Sequence, residues 1–345
     1  MTYRVIQWAT GFVGQEAVKG VIAHPELELV GAWVHSPEKV GRDVGELCGI
    51  DPLGVTASGD LEEICAIDAD CVVYAPVLAS TRTVARLLES GKNVVTPVGW
   101  IYPPQTAKVA QLEDACRRGG VTLHGTGINP GGITERFPLM LSSLCRDIRH
   151  VRVEEFSDIR NYPTESVVRE VMLFGTPPEQ AATSPMPEIL GDGFAQSIDM
   201  VAAGLGWKLD PEKRTTHEMA VARRDLDTPV GVLKAGTVAA QRFTWEGLVD
   251  GVPVITVRVN WLMGEDDLEP AWRLDGQRFE IELDAEPPLA VTFHGLHPPV
   301  VGEHPEIGLI APAMHCVNAI PAVCDAPPGI ATYLDLPLFA GRAAS

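Results

Sequence analysis

The sequence is short of basic residues, and this shortage excludes two classes of partner. Lysine and arginine together number 27 against 46 aspartates and glutamates, which gives a formal net charge of −19 in 345 residues. Nucleic acids and anionic membranes both attract basic surfaces, so we expect neither as a partner. An anionic ligand would have to be held by local groups such as backbone amides, a helix N-terminus or one or two basic side chains.

Paired metal-binding and disulfide motifs are also missing. The seven cysteines are odd in number and show no C-x-x-C spacing, which favours buried thiols in a reducing compartment over a disulfide framework or a zinc site. The late histidines His294, His297, His304 and His315 are irregularly spaced, so we predict no metal. No G-x-S-x-G segment occurs, and an α/β-hydrolase therefore has no support.

Neither a secretory leader nor a membrane-spanning stretch is expected. The chain begins directly with a strand pattern, Tyr3 to Trp8, rather than with a basic segment followed by an apolar one. No apolar stretch of about 18 residues stands out. These absences predict a soluble, cytoplasmic protein.

The first third of the chain alternates short apolar runs with helical patterns. The runs are β-branched-rich and almost continuously apolar, which is typical of parallel strands covered on both faces. The predicted strands are Tyr3–Trp8, Leu27–Val34, Cys71–Ala75, Val94–Val98 and Val121–His124. The predicted helices are Gly14–Ala23, Leu61–Ile67, Thr81–Glu89 and Pro104–Arg118. This order predicts right-handed βαβ units and an α/β fold with a doubly wound parallel sheet.

After a turn-rich hinge over 125–132 the pattern changes. The predicted helices are Thr134–Leu144, Glu165–Phe174 and Gly193–Gly204, with a surface loop over Gly175–Pro187. The predicted strands are His150–Phe156, Thr215–Arg223, Gly236–Leu248, Val252–Leu262, Arg278–Leu283 and Ala290–Phe293. The Asp250-Gly251 pair predicts a two-residue hairpin turn. Long strands after helices predict a C-terminal α+β domain with a mainly antiparallel sheet, followed by a last helix over Pro305–Val323.

The segment between the first predicted strand and the first helix carries a ligand-binding pattern. It reads A-T-G-F-V-G, a form of G-x-G-x-x-G in which Ala9 takes the place of the first glycine. Gly11 lets the backbone approach a pyrophosphate, and Gly14 lets the helix pack close to the strand. The predicted phosphate-contacting residues are Thr10, Gly11, Phe12, Val13 and Gly14. We therefore predict a Rossmann domain that binds a dinucleotide; the alternative is a structural turn that binds nothing.

The end of the second strand distinguishes the two nicotinamide dinucleotides. An NAD-specific site places an acid there to hold the ribose 2′-hydroxyl, whereas this chain has His35 and Ser36 followed by Lys39. A hydroxyl and a nearby lysine suit a 2′-phosphate, so NADP(H) is preferred and NAD(H) remains possible. Plain surface charge is the alternative for Lys39 and Arg42, and Glu38 counts against the phosphate interpretation.

Three segments together resemble the 2,4-diaminopentanoate dehydrogenase and native amine dehydrogenase family, whose N-terminal half looks related to dihydrodipicolinate reductase. They are Val5–Gly14, the H-G-T-G-I-N-P-G of His124–Gly131 and the V-N-A-I-P-A-V of Val317–Val323. The resemblance covers nearly the whole chain. It implies a homodimer formed by the C-terminal domain and a cleft between the domains for a small-molecule substrate. It also implies that Asn129 and Asn318 lie near the nicotinamide, where side-chain amides match the carboxamide; the alternative is that each caps a turn.

Two departures from the family pattern matter. The His-His-x-x-Lys segment of dihydrodipicolinate reductases is missing, so that activity is not expected. Amine dehydrogenases of this kind carry a catalytic glutamate in the loop after the fifth strand, and here Val95–Pro103 contains no acid. Reduction of a carbonyl or a conjugated C=C bond therefore stays open beside amine chemistry, as does a non-catalytic NADP(H)-binding sensor.

Proton donors are sought near the ends of the strands. Tyr102 lies in the loop after the fifth strand, with Trp100 as a possible wall of the site, and Tyr162 is the second candidate. Asp158 could anchor a cationic substrate. His124 could relay a proton near neutral pH, although a structural role is the stronger interpretation. For each tyrosine an interface aromatic with its hydroxyl on backbone is an equally good explanation.

These observations predict a two-domain NAD(P)H-dependent oxidoreductase of the amine dehydrogenase or imine reductase type. The division is a Rossmann domain over 1–130, an α+β substrate and dimerisation domain over 131–304, and a C-terminal helix and tail over 305–345 that pack back toward the first domain. Pro76 and Thr96, near the ends of two predicted strands, are assigned to the cofactor site as well.

Overall fold

The computed structural model describes residues 2–162, 164–299, 303–304 and 307–343. The contacts between residues group the chain into two compact units. Met1–Gly132 and Leu309–Ser345 form the first, called here the N-terminal unit, and Ile133–Gly308 form the second, the central unit.

The strands and helices follow the predicted alternation closely in the first half of the chain. The strands are β1 Tyr3–Trp8, β2 Leu27–Trp33, β3 Ala57–Ser58, β4 Cys71–Tyr74, β5 Asn93–Thr96, β6 Thr122–Gly125, β7 Arg146–Asp158, β8 Arg214–Ala222, β9 Leu226–Thr228, β10 Gly231–Leu233, β11 Val238–Val249, β12 Val252–Leu262, β13 Leu268–Glu269, β14 Arg278–Glu286, β15 Leu289–Phe293 and β16 Gly329–Ile330. The α-helices are α1 Phe12–Ala23, α2 Val44–Leu47, α3 Leu61–Ala66, α4 Thr81–Glu89, α5 Ala107–Gly119, α6 Phe137–Ser142, α7 Pro178–Ala181, α8 Met186–Leu205 and α9 Ile307–Cys324.

Two predicted helices take another form. Gly132–Arg136 and Val167–Val171 are π-helical turns, and only the first continues into an α-helix, α6. The predicted loop Gly175–Pro187 contains the short α7 and the first residues of α8. A wider helical turn admits an extra residue per turn and commonly forms where tertiary contacts override local preference.

The N-terminal unit is built on a wholly parallel sheet, as predicted, and the short strands β3 and β16, which were not predicted, bring it to seven strands. Its strand order is β16-β6-β5-β4-β1-β2-β3, and β1 pairs with β2 on one side and β4 on the other. The direction in which successive strands are added therefore reverses beside β1. Ligands of open parallel sheets bind at the carboxyl ends of the strands at such a reversal, so the carboxyl end of β1 is where a site is expected.

Both faces of this sheet are covered, which explains why most residues of its strands are apolar. Ile6 and its neighbours pack with side chains of α3, α4 and α5, among them Ile64, Leu87 and Leu112. Val5, one residue earlier in β1, packs on the opposite face with side chains of α1 and α9. Successive strand side chains point to opposite faces, so both sets of side chains meet a packed layer and are mostly apolar.

Helix α9 corrects the expectation that no long apolar stretch occurs. It has 18 residues, no charged side chain and a mean hydropathy of 1.6, so its length and composition alone would allow it to cross a membrane. One such helix is weak support for a membrane span, because a core helix meets the same criteria. Ala313, Val317 and Ile320 of α9 lie in the core on one face of the parallel sheet. Pro305, the predicted start of this helix, lies outside the described residues.

The central unit contains a mixed seven-stranded sheet in the order β13-β8-β11-β12-β7-β14-β15. Its pairs are antiparallel except β12 with β7, so the mainly antiparallel sheet is confirmed. Asp250 and Gly251, between β11 and β12, both have positive φ, at 51° and 77°, as a two-residue hairpin turn requires. Helix α8 covers one face, where Phe194 stacks on Trp245 with their ring centroids 4.3 Å apart.

All seven cysteines are among the described residues, and none forms a disulfide. Five of them are buried, and burial raises the pKa of the Cys48 and Cys116 thiols to about 11. A thiol that holds its proton is a poor nucleophile. The predicted role of these residues as inert core thiols is therefore consistent with their surroundings.

Candidate active site

The turn between β1 and α1 is held in shape by its own backbone and by one buried amide. Ala9 adopts the left-handed region, with φ at 71°, which explains why glycine is usual at this position of the pattern. Its N–H donates to the Trp33 carbonyl at 2.9 Å, and the Gln7 side-chain amide donates to the Ala9 carbonyl at 2.9 Å. The turn is thereby fixed from β2 and from β1.

The two glycines of the turn have different roles. A Cβ added to Gly14 would lie 2.1 Å from the Ala9 carbonyl oxygen, so the close packing of helix on strand needs glycine there. A Cβ on Gly11 would meet nothing within 4 Å. Gly11 is the exposed N-cap of α1 and has no side chain to cap the first amides, which include those of Phe12 and Val13. Open space in front of uncapped helix amides suits the pyrophosphate of a dinucleotide.

A lysine from the second strand's loop lies beside this turn. Ser36 is the N-cap of the 3₁₀ turn Pro37–Lys39, and the Lys39 ammonium lies 3.3 Å from the Thr10 carbonyl oxygen and 3.4 Å from its hydroxyl. His35 is exposed nearby, its ring 6.0 Å from that of Trp33. The structure therefore brings Thr10 and Lys39 together and places a cationic side chain beside the turn.

The other predicted cofactor residues follow later strands of the same sheet. Pro76 comes two residues after β4 and is half-buried. Thr96 ends β5, and its hydroxyl accepts a hydrogen bond from the Val98 N–H at 3.0 Å, which braces the loop that follows. Both lie at the carboxyl ends of parallel strands, the edge at which β1 presents its turn.

The two asparagines singled out by resemblance lie in this unit as well. Asn129 is half-buried in the turn that closes when the Gly132 N–H donates to the Gly127 carbonyl at 3.0 Å. Asn318 lies on α9, and its side-chain carbonyl oxygen is buried without a hydrogen-bond partner among the described residues. A buried acceptor without a donor is costly, and the carboxamide of a nicotinamide is a donor of the right kind. The residues present therefore fit such a cofactor.

Trp100, the predicted wall of the site, lies in the loop after β5. Trp100 has a φ of 54° and packs against the apolar cluster around Ile6, so part of its ring serves the core. Tyr102 follows as a half-buried residue. The loop carries no carboxylate, as its sequence states.

A cluster that the sequence did not predict joins three distant segments of the N-terminal unit. His315 Nδ1, on α9, lies 2.6 Å from the Gly127 carbonyl oxygen, 3.2 Å from the Tyr333 hydroxyl and 3.3 Å from the Thr126 hydroxyl. The two hydroxyls also share a short hydrogen bond with each other. We call Thr126, His315 and Tyr333 the hydroxyl–imidazole cluster. Thr126 lies in the turn-rich hinge and His315 is one of the late histidines, but no spacing in the sequence connects residues some 200 positions apart.

His124 lies behind this cluster. Its side chain is fully buried, its Nδ1 lies 2.8 Å from the Ala331 carbonyl oxygen, and its ring meets Tyr333 edge-on at 5.2 Å. These contacts fit the structural interpretation of His124, since a fully enclosed ring has no surface to offer a substrate.

The remaining candidates lie in the central unit. Asp158 ends β7, and its carboxylate holds the Arg160 guanidinium at 2.9 Å and accepts from the Arg160 N–H. A cationic substrate would have to displace this arginine. Burial, with the nearby Glu155 charge as the smaller cause, raises the pKa of Tyr162 above its usual range. A phenol so placed holds its proton firmly.

Known proteins match this chain over most of its length. Residues 133–344 match the model of the 2,4-diaminopentanoate dehydrogenase C-terminal domain, and residues 5–121 match that of the dihydrodipicolinate reductase N-terminus. An amine dehydrogenase of Streptomyces virginiae is 34% identical over 96% of each chain. The chain belongs to the 2,4-diaminopentanoate dehydrogenase and amine dehydrogenase family. By family it is a pyridine-nucleotide oxidoreductase.

Two further relatives extend the comparison. A 2,4-diaminopentanoate dehydrogenase of Acetoanaerobium sticklandii is 26% identical, with 73% of this chain and 66% of the relative covered. The solved amine dehydrogenase of Mycobacterium smegmatis superimposes with a TM-score of 0.82 at 22% identity, over 99% of this chain and 98% of that one. The match to the Mycobacterium smegmatis structure supports the fold alone, and that fold agrees with the Rossmann and α+β architecture of the family.

No group of three or more histidine, cysteine, aspartate or glutamate side chains that could hold a metal occurs among the residues with described positions. The expectation of a metal-free site stays a prediction. Hydride transfer does not need one, because the nicotinamide carries the chemistry and the protein supplies placement and a proton.

Proposed function

We propose that this member of the family is an NADP(H)-preferring oxidoreductase that transfers a hydride between the nicotinamide and the carbon of a small C=N or C=O substrate. Amine dehydrogenase or imine reductase activity is the first choice, because the Streptomyces virginiae relative is named an amine dehydrogenase and is 34% identical throughout. NAD(H) is the second cofactor to test.

The observation that carries this proposal is the turn between β1 and α1. Its backbone is shaped by the close contact at Gly14 and by the open space at Gly11, and Lys39 lies against Thr10 beside it. Helix amides would hold the pyrophosphate, and Lys39 would neutralise a 2′-phosphate. The bound nicotinamide, when reduced, supplies the hydride; the chain's residues bind, orient and supply the proton.

A second candidate, reduction of a carbonyl or a conjugated C=C bond, is favoured by one observation. The loop Val95–Pro103 has no carboxylate to engage an amine, and Asp158, the other acid considered for that purpose, is already paired with Arg160. Both features are compatible with a neutral substrate.

The test follows the absorbance of reduced nicotinamide in the presence of NADPH or NADH and a panel of small ketones, aldehydes and enones, with and without ammonia. Oxidation that requires ammonia supports amine formation, and oxidation without ammonia supports the second candidate. Calorimetric binding of NADPH with no turnover across the panel would leave a sensor as the better explanation. If neither dinucleotide binds the folded protein, the whole proposal is wrong.

We further propose that the protein is a homodimer through the face of the central unit's sheet opposite α8. We call this side of the sheet the polar face. Along each strand its side chains alternate with those on the side that α8 covers, and its charged side chains form ion pairs with one another. The arginines are Arg152, Arg242, Arg258 and Arg278, and their partners are Glu154, Glu218, Glu280 and Glu282. A face that is balanced in a chain of net charge −19 can lie against its own copy without the repulsion that other surfaces would produce.

Light scattering coupled to gel filtration tests this arrangement. We expect a dimer for the wild type at micromolar concentration and a shift toward monomer for Arg242→Glu, which places like charges opposite Glu218. Arg146→Glu is the control, because Arg146 pairs with Glu286 at the exposed end of β7. A monomeric wild type would contradict the proposal.

A further inference from the structure

We propose that His315 donates the proton in this reaction, with Thr126 and Tyr333 as the positioning residues that hold its imidazole ring. The inference rests on the proposed hydride transfer and names the group that completes it. It replaces the two tyrosines and His124 as the first candidate for that step.

The contacts at Nδ1 decide which nitrogen of His315 exchanges the proton. At 2.6 Å from the Gly127 carbonyl oxygen, Nδ1 must carry a hydrogen, because a bare nitrogen would put two lone pairs against each other at that distance. A carbonyl accepts and never donates, so this nitrogen stays protonated when the ring is neutral. Proton exchange is thereby assigned to Nε2, since the bond made by one ring nitrogen sets the state of the other.

The same surroundings favour the charged ring that an acid needs. Three oxygen atoms lie within 3.3 Å of Nδ1, those of Gly127, Thr126 and Tyr333. Oxygen acceptors around an N–H stabilise its positive form. The two hydroxyls also bond to each other, so the one that donates in that bond directs its hydrogen away from Nδ1 and can turn a lone pair toward it.

The cluster lies at the edge of the sheet where a ligand is expected. Thr126 follows β6 directly, and its N–H continues the ladder to the Thr96 carbonyl at 2.8 Å. Tyr333 follows β16, which pairs with β6. The Thr126 side chain is fully buried, whereas His315 is only half-buried. A ring that is held by buried groups and is itself only half-buried suits a proton donor.

The step is balanced as follows. The carbon of the substrate's C=N or C=O bond takes the hydride with its electron pair, the π bond breaks, and the nitrogen or oxygen takes the proton from Nε2 of the His315 imidazolium. The neutral ring that remains keeps its hydrogen on Nδ1. Water returns a proton to Nε2 before the next turnover. In the oxidative direction neutral His315 removes the proton instead.

Two substitutions separate this role from a structural one. His315→Asn keeps a donor at the position of Nδ1, and so keeps the bond to Gly127, but loses Nε2. We expect it to bind NADPH with unchanged affinity while kcat falls about 10²-fold to 10⁴-fold, the usual worth of a general acid. A His315→Asn enzyme with kcat within about threefold of the wild type would overturn the proposal, because only the structural bond would then matter.

Tyr333→Phe keeps the ring contacts and removes the hydroxyl, and we expect a smaller loss of kcat with KM unchanged. His24→Asn is the matched control, since His24 is a buried histidine of the same unit whose Nδ1 accepts from the Glu26 N–H. The kcat of this control should equal that of the wild type. If Tyr333→Phe is unchanged as well, the hydroxyl has no part in positioning.

A measurement that does not depend on turnover can test the role of His315 separately from the proposed function. Nitrogen NMR of histidine-labelled protein, with His315 assigned by its loss in His315→Asn, should show neutral His315 as the Nδ1–H form and its Nε2 titrating. The titratable groups that described contacts bring to this ring are Tyr333 and, beyond it, His124. An Nε2–H form would refute the assignment even in an active enzyme. Absence of turnover on every substrate, with the Nδ1–H form observed, would refute the function and not the tautomer.

Discussion

The turn between β1 and α1 and the hydroxyl–imidazole cluster are two polar sites of the same unit built in opposite ways. The turn consists of residues 9 to 14 and works through main-chain amides, the open space at Gly11 and the close backbone contact at Gly14. The cluster consists of side chains at positions 126, 315 and 333, from three segments that meet at β6, α9 and β16. A site made of contiguous backbone leaves a pattern in the sequence; one made of distant side chains leaves only its separate members.

This difference predicts how each site responds to change. The turn should lose NADPH affinity or its fold when a side chain is added, because it depends on glycines that have none. The cluster should lose kcat when a hydrogen-bonding atom is removed, because its role depends on the hydrogen bonds between its side chains. The following substitutions test that contrast, in order of decreasing effect.

Gly14→Val should have the largest effect. The new side chain would begin 2.1 Å from the Ala9 carbonyl oxygen, so helix and strand must separate, and we expect a loss of NADPH affinity of at least about 100-fold or a failure to fold. Calorimetry and thermal denaturation measure the two outcomes. Gly11→Ala meets no atom within 4 Å and should keep the stability of the wild type while weakening NADPH binding. Equal stability for both variants would contradict the separate roles of the two glycines.

His297, a half-buried histidine of the central unit, tests whether a hydrogen bond between distant side chains can affect stability without affecting activity. His297 Nε2 lies 2.8 Å from the Ser157 hydroxyl, and burial lowers the pKa of His297 to about 4. Above pH 6.5 the ring is neutral in the folded and unfolded chains; as pH falls toward 4, only the unfolded chain takes the proton. Stability should therefore fall by about 2 kcal/mol between pH 7.5 and pH 5 because of this group.

Urea unfolding of wild type and His297→Gln at the two pH values isolates that contribution. Burial also lowers the pKa of His24, His150 and His217, but their effect is common to both proteins and cancels in the difference. The variant should lose about 2 kcal/mol of the pH dependence and no activity. An identical pH dependence would show that folding does not lower the pKa of His297.

Thr126→Val removes one oxygen from the cluster with almost no change of volume. We expect kcat to fall about tenfold with unchanged NADPH affinity, because His315 loses one of its three acceptors. Thr122→Val is the matched control, since Thr122 is fully buried in β6, the strand that Thr126 follows, and its hydroxyl donates to the Pro327 carbonyl at 2.9 Å. The control should lose stability but not kcat. A similar loss of kcat in both would point to general loosening of β6.

Lys39→Ala tests the lysine side chain that lies against Thr10 of the turn. Loss of its charge should weaken NADPH binding roughly fivefold more than NADH binding, and added salt should reduce the difference. The control is Lys108→Ala, an exposed lysine in the first turn of α5. Equal effects of Lys39→Ala on both dinucleotides would remove the argument for NADP(H).

Ala9→Gly should have the smallest effect and the opposite sign. Ala9 occupies a left-handed conformation, in which a Cβ costs about 1 kcal/mol, while glycine loses more freedom on folding. We expect a net stabilisation of about 0.5 kcal/mol with NADPH affinity unchanged. Urea unfolding measures it, and a destabilised variant would show that the Ala9 methyl group makes a compensating contact.

The sequence by itself determined the parallel sheet, the turn at its first strand and the hairpin at Asp250-Gly251. Each depends on neighbours in the chain: apolar runs covered on both faces, glycine beside a helix start, and a dipeptide that accepts positive φ. It also predicted the family from three short segments, and the matches over 5–121 and 133–344 confirm that prediction.

Only the tertiary structure decided where side chains far apart in sequence meet. It placed Lys39 against Thr10, tied Asp158 to Arg160, enclosed His124, and joined His315 to Thr126 and Tyr333. It also turned α9, apolar enough to cross a membrane, into a core helix of the parallel sheet. The physical reason is separation along the sequence. Backbone conformation depends on adjacent residues, whereas a hydrogen bond between side chains depends on the fold that brings them within about 3 Å.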